Sequence, residues 1–215
     1  MAIIAPTALT GDLEQYRAQM TAFNSFAQRI QIDVTDGEFV EARTVPLENV
    51  WWPKGKDADL HLMIAHPSQH LDTLVKLHPS LVIVHAEVKE DLLPIFQKLR
   101  QEGIKVGIAL LKSTFPGNVE KFIQLADHVL IFAGDLGKQG SNADMLQIEK
   151  VPLVRAIKPG VEIGWDGGAN MENIREIAHS DIDVINVGRA VAQASNPAQA
   201  YKDLVKEADK RGVRL

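Results

Sequence analysis

The chain has no cysteine, so disulfides, thiolate metal sites and thiol nucleophiles are all excluded. Aromatic residues are scarce, at 6% of 215 residues. No apolar run approaches the ~20 residues needed to span a bilayer. The apolar opening, residues 1–9, lacks the charged head and small-residue cleavage site of a signal peptide. Positive charge is not in excess either: the formal net charge is −5. That argues against a nucleic-acid or anionic-membrane partner, which needs a basic surface, but leaves room for a local positive pocket. Low-complexity tracts and Gly/Ser- or Pro-rich linkers are missing, so a single domain over residues 1–215 is expected, in a cytoplasmic protein.

What is present is an alternation. Short, nearly continuous apolar runs occur at residues 3–9, 30–34, 60–64, 81–85, 106–111, 129–133, 161–165 and 184–187. Strands buried on both faces of a parallel sheet read this way. Between them, residues 13–26, 91–102, 119–126, 170–178 and 197–211 space their apolar residues by three and four, as amphipathic helices do. Asn170 and Asn196 suit N-caps, Pro197 a first helical position, and Gly103 and Gly212 helix ends. Eight strand–helix units predict a (β/α)8 TIM barrel. A doubly wound open sheet is the alternative, but no GxGxxG follows the first strand.

In such a barrel the site forms at the C-terminal ends of the strands. Those ends carry Thr7, Asp33, His61, His85 with Glu87, the glycine-rich stretch Gly134 to Ser141, Asp166-Gly167-Gly168 and Gly188-Arg189. Asp33 is the sharpest signal. It interrupts a run that should be buried, and an unpaired buried carboxylate is costly, so it needs a partner such as a metal ion. His61 carries the same implication. Asp and His are ligands for Zn2+, Mn2+, Fe2+ or Co2+. Two carboxylates on opposite sides of a sugar can act as base and acid beside a carbonyl. Glycine-rich turns after the last strands can cradle a phosphate through backbone N–H groups.

The segments Ala5-Pro6-Thr7-Ala8-Leu9, Ile32-Asp33-Val34-Thr35-Asp36-Gly37-Glu38-Phe39-Val40, His61-Leu62-Met63-Ile64, Val84-His85-Ala86-Glu87 and Asp166-Gly167-Gly168 together resemble the ribulose-phosphate 3-epimerase family. The resemblance runs over nearly the whole chain. It implies a barrel of the ribulose-phosphate-binding type, one divalent metal ion and proton transfer at C3 of a ketose phosphate through an enediolate. By position it implies Asp33 and Asp166 as the acid/base pair and, with His61, as metal ligands. Thr7 and Met63 would line the substrate site, and Gly137, Gly140, Ser141, Gly167, Gly168 and Gly188 the phosphate site. His85, which ends strand four, is grouped with the substrate residues in a hydrogen-bonded supporting role rather than as a metal ligand. Arg189 replaces the family's small hydroxyl residue and either adds a charge-assisted phosphate contact or points outward. A homo-oligomer is also expected.

The chain departs from the family pattern in places. Gln31 stands where the family has its first histidine ligand, and an amide oxygen suits hard cations better than zinc. Thr35 replaces a methionine, and the loop after strand six keeps only its outer glycines, Gly137 and Gly140. Three other readings follow: an allulose 6-phosphate epimerase, a barrel that binds a sugar phosphate without turnover, and a hexulose-phosphate synthase-like enzyme. The last shares Val187-Gly188-Arg189-Ala190 but lacks the lysine its Asp-x-Lys-x-x-Asp signature needs, since residues 33–36 read Asp-Val-Thr-Asp. Trp51-Trp52, Trp165, His66, His70, His78 and the basic stretch 206–214 read as packing or solvated surface.

Overall fold

The computed structural model describes residues 2–138 and 140–210. Eight parallel strands close into a barrel in chain order: β1 Ile3–Ala8, β2 Arg29–Thr35, β3 Asp57–Met63, β4 Leu81–His85, β5 Lys105–Leu110, β6 His128–Phe132, β7 Glu162–Asp166 and β8 Val184–Val187. Closure is made by β8 on β1, with Ile3 opposite Val184 and Ala5 opposite Asn186. That pairing eliminates the doubly wound alternative, whose sheet would have two free edges. Strand limits shift from the apolar runs by up to three residues, because polar lumen residues such as Arg29 and Asp59 extend β2 and β3 below their apolar stretches.

The strands read as continuous apolar runs because each face meets protein. Outward residues such as Ile32, Leu60, Val82, Ile108 and Ile131 pack under the helices in one large core. Inward residues obey the period of two. Leu81, Ile83, Ala109 and Leu130 form a separate small apolar cluster on the β4–β6 side of the lumen. The β2–β3 side of the lumen is mostly polar: Arg29, Gln31 and Asp33 succeed one another on β2, and Asp59 and His61 on β3, with Met63 above them. Gly164 on β7 is what admits the His128 ring, since a Cβ there would lie 2.4 Å from Nε2 of His128.

The helices are α1 Leu13–Asn24, α2 Leu71–Leu77, α3 Leu92–Gln101, α4 Glu120–Leu125, α5 Lys150–Ile157, α6 Ile174–Ala178, α7 Arg189–Ala192 and α8 Pro197–Ala208. Asp12 caps α1 by accepting from the amides of Glu14 and Gln15, and the buried face runs Tyr16, Gln19, Met20, Phe23. Asp91 caps α3, whose buried stripe is Leu92, Ile95, Phe96 and Leu99. Asn196 caps α8 as expected, with Pro197 at its start. Gly103, at φ +76°, follows the end of α3. The expected helix end near Arg211 and Gly212 lies outside the described residues.

Asn170 is not an N-cap. Its side chain accepts from the Glu172 amide and donates to the Gly168 carbonyl, closing a turn, and the helix starts only at Ile174. Asparagine side chains compete with helix in this way. Helices α2, α5 and α7 have no counterpart among the expected helices. At 7, 8 and 4 residues they are too short for an apolar stripe to repeat.

Candidate active site

The C-terminal mouth gathers its polar side chains from neighbouring strands, held in register. Thr7 lies beside Gln31, Asp33 beside His61, and Asp166 beside Asn186. Asp33, His61 and Asp166 are all buried, with ligand-type atoms within 4.8 Å of one another. The Gln31 amide nitrogen donates to Asp33 Oδ1 at 2.9 Å and to Asp166 Oδ2 at 2.6 Å. His61 Nδ1 lies 3.0 Å from Asp33 Oδ1 and 3.5 Å from Asp166 Oδ2. Four groups thus converge on one point.

Behind this point a hydrogen-bonded line fixes the imidazole. His61 Nε2 lies 2.8 Å from His85 Nε2, and His85 Nδ1 lies 3.3 Å from Glu87 Oε2. Glu87 also accepts from the Leu111 amide and the Thr114 hydroxyl. Only one proton fits between the two Nε2 atoms. Burial drives the His85 imidazole down to about 4, aided by the His61 charge and opposed by Glu87. Burial alone would lower His61 too, but its hydrogen bond to Asp33 and the charges of Asp33 and Asp166 outweigh that and raise it. The shared proton therefore belongs to His61 Nε2, and His85 donates through Nδ1 to Glu87. The phenyl ring of Phe39 packs 5.0 Å from the His85 ring, and Phe132 lies 6.0 Å from that of His61, centroid to centroid.

Asp166 is raised well above the usual carboxylate range, first by burial and then by the facing Asp33. Two carboxylates sharing one buried site titrate apart in this way, and the one raised is suited to hold a proton near neutrality.

This donor set fits a divalent ion. Two carboxylate oxygens and one imidazole nitrogen are three protein ligands, the usual number at a metal site that keeps an open position. With His85 at Nε2, Nδ1 is the nitrogen that would ligate an ion, in place of the proton it shares with Asp33, and a second hydrogen-bonded residue commonly orients a ligand histidine in this way. Gln31 Oε1 is buried with no hydrogen-bond partner among the described residues. Turning the amide over would present that oxygen to the same point.

Above the cluster is a cavity lined by Thr7, Met63, Gly137, Gly140, Ser141, Gly167, Gly168, Gly188 and Arg189 together with Asp33 and Asp166. Gln31 and His61 do not line it: both are fully buried and hydrogen-bond to Asp33 and Asp166 from behind. His85, expected in the substrate site, does not reach the cavity: it is fully buried behind His61, to which it hydrogen-bonds. Arg189 lines the rim of the cavity and is exposed, with its guanidinium against Gly140. The glycine pair has a packing reason of its own. A Cβ on Gly167 would lie 2.1 Å from the Gly134 nitrogen, and one on Gly168 2.1 Å from the Ala143 nitrogen, both at positive φ. Glycine there lets the loop after β6 close onto the turn after β7.

Some lining residues were not singled out by sequence. Phe132, Lys138, Asn142 and Asn186 all line the cavity. Asn186 carried a readable signal, being a polar residue within the apolar run of β8. Trp165 is buried in the outer core, with its indole N–H on the Gly167 carbonyl. Trp51 packs edge-on to Tyr16, whose hydroxyl donates to the Trp51 carbonyl. Asp36 organises its loop by accepting from the amides of Glu38, Phe39 and Ala65.

The fold and site together define a (β/α)8 barrel with a buried Asp–His–Asp cluster under a glycine-lined mouth. The chain belongs to the ribulose-phosphate 3-epimerase family, whose model matches residues 3–192. It is 28% identical to the ribulose-phosphate 3-epimerase of Schizosaccharomyces pombe, over 94% of this chain and 91% of that one. It is 27% identical to the Aquifex aeolicus protein of the same name, over 91% and 92%. Among solved structures, 3-hexulose-6-phosphate synthase from Salmonella typhimurium superposes with a TM-score of 0.71 at 16% identity, covering 96% of this chain and 98% of that one. Orotidine 5'-phosphate decarboxylase from Pyrococcus horikoshii gives 0.67 at 17% identity, covering 97% and 100%. At such identities these two show the shared fold. No helix among the described residues is long and apolar enough to cross a membrane.

Proposed function

We propose that this chain is a cytoplasmic ketose-phosphate 3-epimerase that interconverts D-ribulose 5-phosphate and D-xylulose 5-phosphate. The observation that carries this reading is the carboxylate pair. Asp33 and Asp166 come from strands on different sides of the barrel, line one cavity, and are tied to each other through Gln31 and His61. Membership of the family supports the reaction class.

The carboxylate of Asp33 takes the C3 proton of the ketose, and the C3–H electron pair moves into a 2,3-enediolate. Asp166, whose hold on a proton burial and the facing Asp33 strengthen, returns a proton to the opposite face of C3, and the C2 carbonyl reforms. The result is inversion at one carbon, and the reverse reaction exchanges the two roles. Gln31 and His61 hold the two carboxyl groups in place throughout. Asp33, His61 and Asp166, with the Gln31 carbonyl as a fourth donor, would hold a divalent ion such as Zn2+, Mn2+, Fe2+ or Co2+. Such an ion, when bound, supplies polarisation of the carbonyl and charge compensation for the enediolate. The phosphate is assigned to the turns at Gly137, Gly140, Ser141, Gly167, Gly168 and Gly188, with Arg189 adding a charge-assisted contact.

One observation favours a second reading. The Gln31 amide nitrogen sits between both carboxylates at 2.9 and 2.6 Å, which suits a barrel that binds a sugar phosphate without turnover. Proton NMR in D2O separates the two. D-ribulose 5-phosphate is incubated with the protein, with and without Mn2+, Co2+ or Zn2+. Loss of the C3 proton signal with growth of xylulose 5-phosphate peaks is expected. Binding without exchange under any metal would select the second reading, and exchange only with allulose 6-phosphate would move the substrate to six carbons.

A further inference from the structure

Several buried polar atoms at the mouth have no partner among the described residues, Thr7 Oγ1, Gln31 Oε1 and Thr35 Oγ1 among them. Asn186 is the amide of this kind that lines the cavity. It lies on β8, 2% exposed, and its Oδ1 has no hydrogen-bond partner among the described residues. An unsatisfied buried amide oxygen is costly, so such a group in a site wall points to a ligand. Asn186 lines the same cavity as Asp33 and Asp166.

Its position says which part of a ligand it meets. Asn186 is the register neighbour of Asp166 on β7 and stands two residues before Gly188 on its own strand. The carboxylates flank the carbon that is inverted, and the turns at Gly167-Gly168 and Gly188-Arg189 are the phosphate end. Asn186 lies between them. In a ketose 5-phosphate aligned that way, the atom between C3 and the phosphate-bearing C5 is C4, which carries one hydroxyl. Met63 and Phe132, which also line the cavity, are apolar and offer that hydroxyl no hydrogen bond.

We propose that Asn186 is a specificity-determining residue whose side-chain amide hydrogen-bonds the C4 hydroxyl of the ketose phosphate. The inference rests on the 3-epimerase reading and deepens it. Epimerisation at C3 leaves C4 unchanged, so one fixed amide serves substrate and product alike. An amide supplies an acceptor and a donor without adding charge beside the carboxylate pair. A site built to bond a hydroxyl discriminates against ligands lacking it, because its own polar group is then left unpaired.

The test is equilibrium binding with ligands that cannot react. Ribitol 5-phosphate has no carbonyl and forms no enediolate; its 4-deoxy analogue differs by the one hydroxyl. Both are titrated calorimetrically into the wild type, Asn186→Leu (similar in shape, without the amide) and Asn186→Ala, at one metal content throughout. The wild type should bind ribitol 5-phosphate about tenfold or more tightly than the 4-deoxy compound. In Asn186→Leu that ratio should fall to within about twofold. Asn186→Ala should show the same collapse and cannot overpack the lumen, so it carries the test should the leucine variant not fold. A merely structural role would weaken both ligands alike and keep the ratio, which would overturn the proposal. Equal binding of the two ligands by the wild type would overturn it while leaving the sugar-phosphate reading intact. No binding of ribitol 5-phosphate to the wild type would overturn both.

Discussion

The two ends of the barrel lumen each gather a pair of carboxylates, and they neutralise them differently. At the N-terminal end, Arg29 reaches across from β2. It donates through Nε to Asp59 at 2.6 Å and through both terminal nitrogens to Glu162 at 2.8 and 2.7 Å. His128 adds a bond to Glu162 at 2.7 Å. At the C-terminal end, Asp33 and Asp166 face a neutral amide and an imidazole, and no lysine or arginine among the described residues hydrogen-bonds to either. A guanidinium is always charged and bidentate, so the lower end is closed by its own residues. The upper end keeps an excess of negative charge that a proton, a divalent ion or a reacting substrate can answer. One end is built to hold still and the other to exchange its counter-charge.

The strongest way to break this comparison is to neutralise the upper pair. Asp33→Asn or Asp166→Asn should lower turnover of D-ribulose 5-phosphate by about 10³-fold or more, since general acid–base groups contribute roughly 10²–10⁴ each. The circular dichroism spectrum should stay that of the intact barrel. Retention of even a tenth of the turnover would remove these residues from the chemistry and leave the upper end a second structural cluster.

Next in size is the lower end. Arg29→Met leaves Asp59 almost fully buried without its cation, whereas Glu162 is about one-third exposed and keeps solvent. Breaking a buried pair by removing one partner costs about 3–5 kcal/mol, and the exposure of Glu162 argues for the lower figure. Urea denaturation at neutral pH should therefore show a loss of about 3 kcal/mol, while turnover per folded molecule is unchanged. An equal fall in turnover would mean that the two ends are coupled through the lumen.

This division was only partly legible in the sequence. The barrel was, because each strand is apolar on both faces and the runs recur eight times. Asp33 and His61 stood out because each interrupts such a run. Arg29 and Asp59 passed unnoticed because they lie at the edges of theirs, where a charge reads as loop. Asn186 interrupts the run of β8 as Asp33 does that of β2, yet asparagine carries no charge and so raises no alarm about burial. His85 looked like a site residue because it ends a strand. Its true neighbour, His61, is 24 residues away in sequence, and no local pattern reports which of two histidines stands in front. The glycine pair at 167–168 also illustrates a limit, since close approach of the loop after β6 explains it as fully as an anion does.

A smaller effect sharpens the comparison from above. Gln31→His would exchange an amide that now bonds both carboxylates for an imidazole able to ligate. Zn2+ affinity, followed by calorimetry with a competing chelator, should rise about tenfold or more, because imidazole suits zinc better than an amide oxygen does. Mn2+ affinity should change less. Unchanged affinity for both ions would place any metal elsewhere than between Asp33, His61 and Asp166.

The smallest effect is the pH response of the lower end, and its sign can be worked out. Burial would raise the Glu162 carboxyl, but its hydrogen bonds from Arg29 and His128 outweigh this and hold it well below its ordinary value of 4.5. Folded Glu162 therefore gives up its proton more readily than the unfolded chain does. Its contribution to stability is fully present above about pH 4.5 and drains away as the pH falls through its depressed folded value. Asp59 works against this trend, since burial raises it above 3.8 despite Arg29, and it takes up a proton earlier in the folded state. The two partly cancel, which keeps the slope shallow. Melting temperatures measured from about pH 5 down to about pH 3 should fall, and Glu162→Gln should flatten that fall. A variant that kept the full slope would take the acid sensitivity away from Glu162, and Asp166 could not supply it, since a carboxyl raised on folding stabilises the fold as the pH falls.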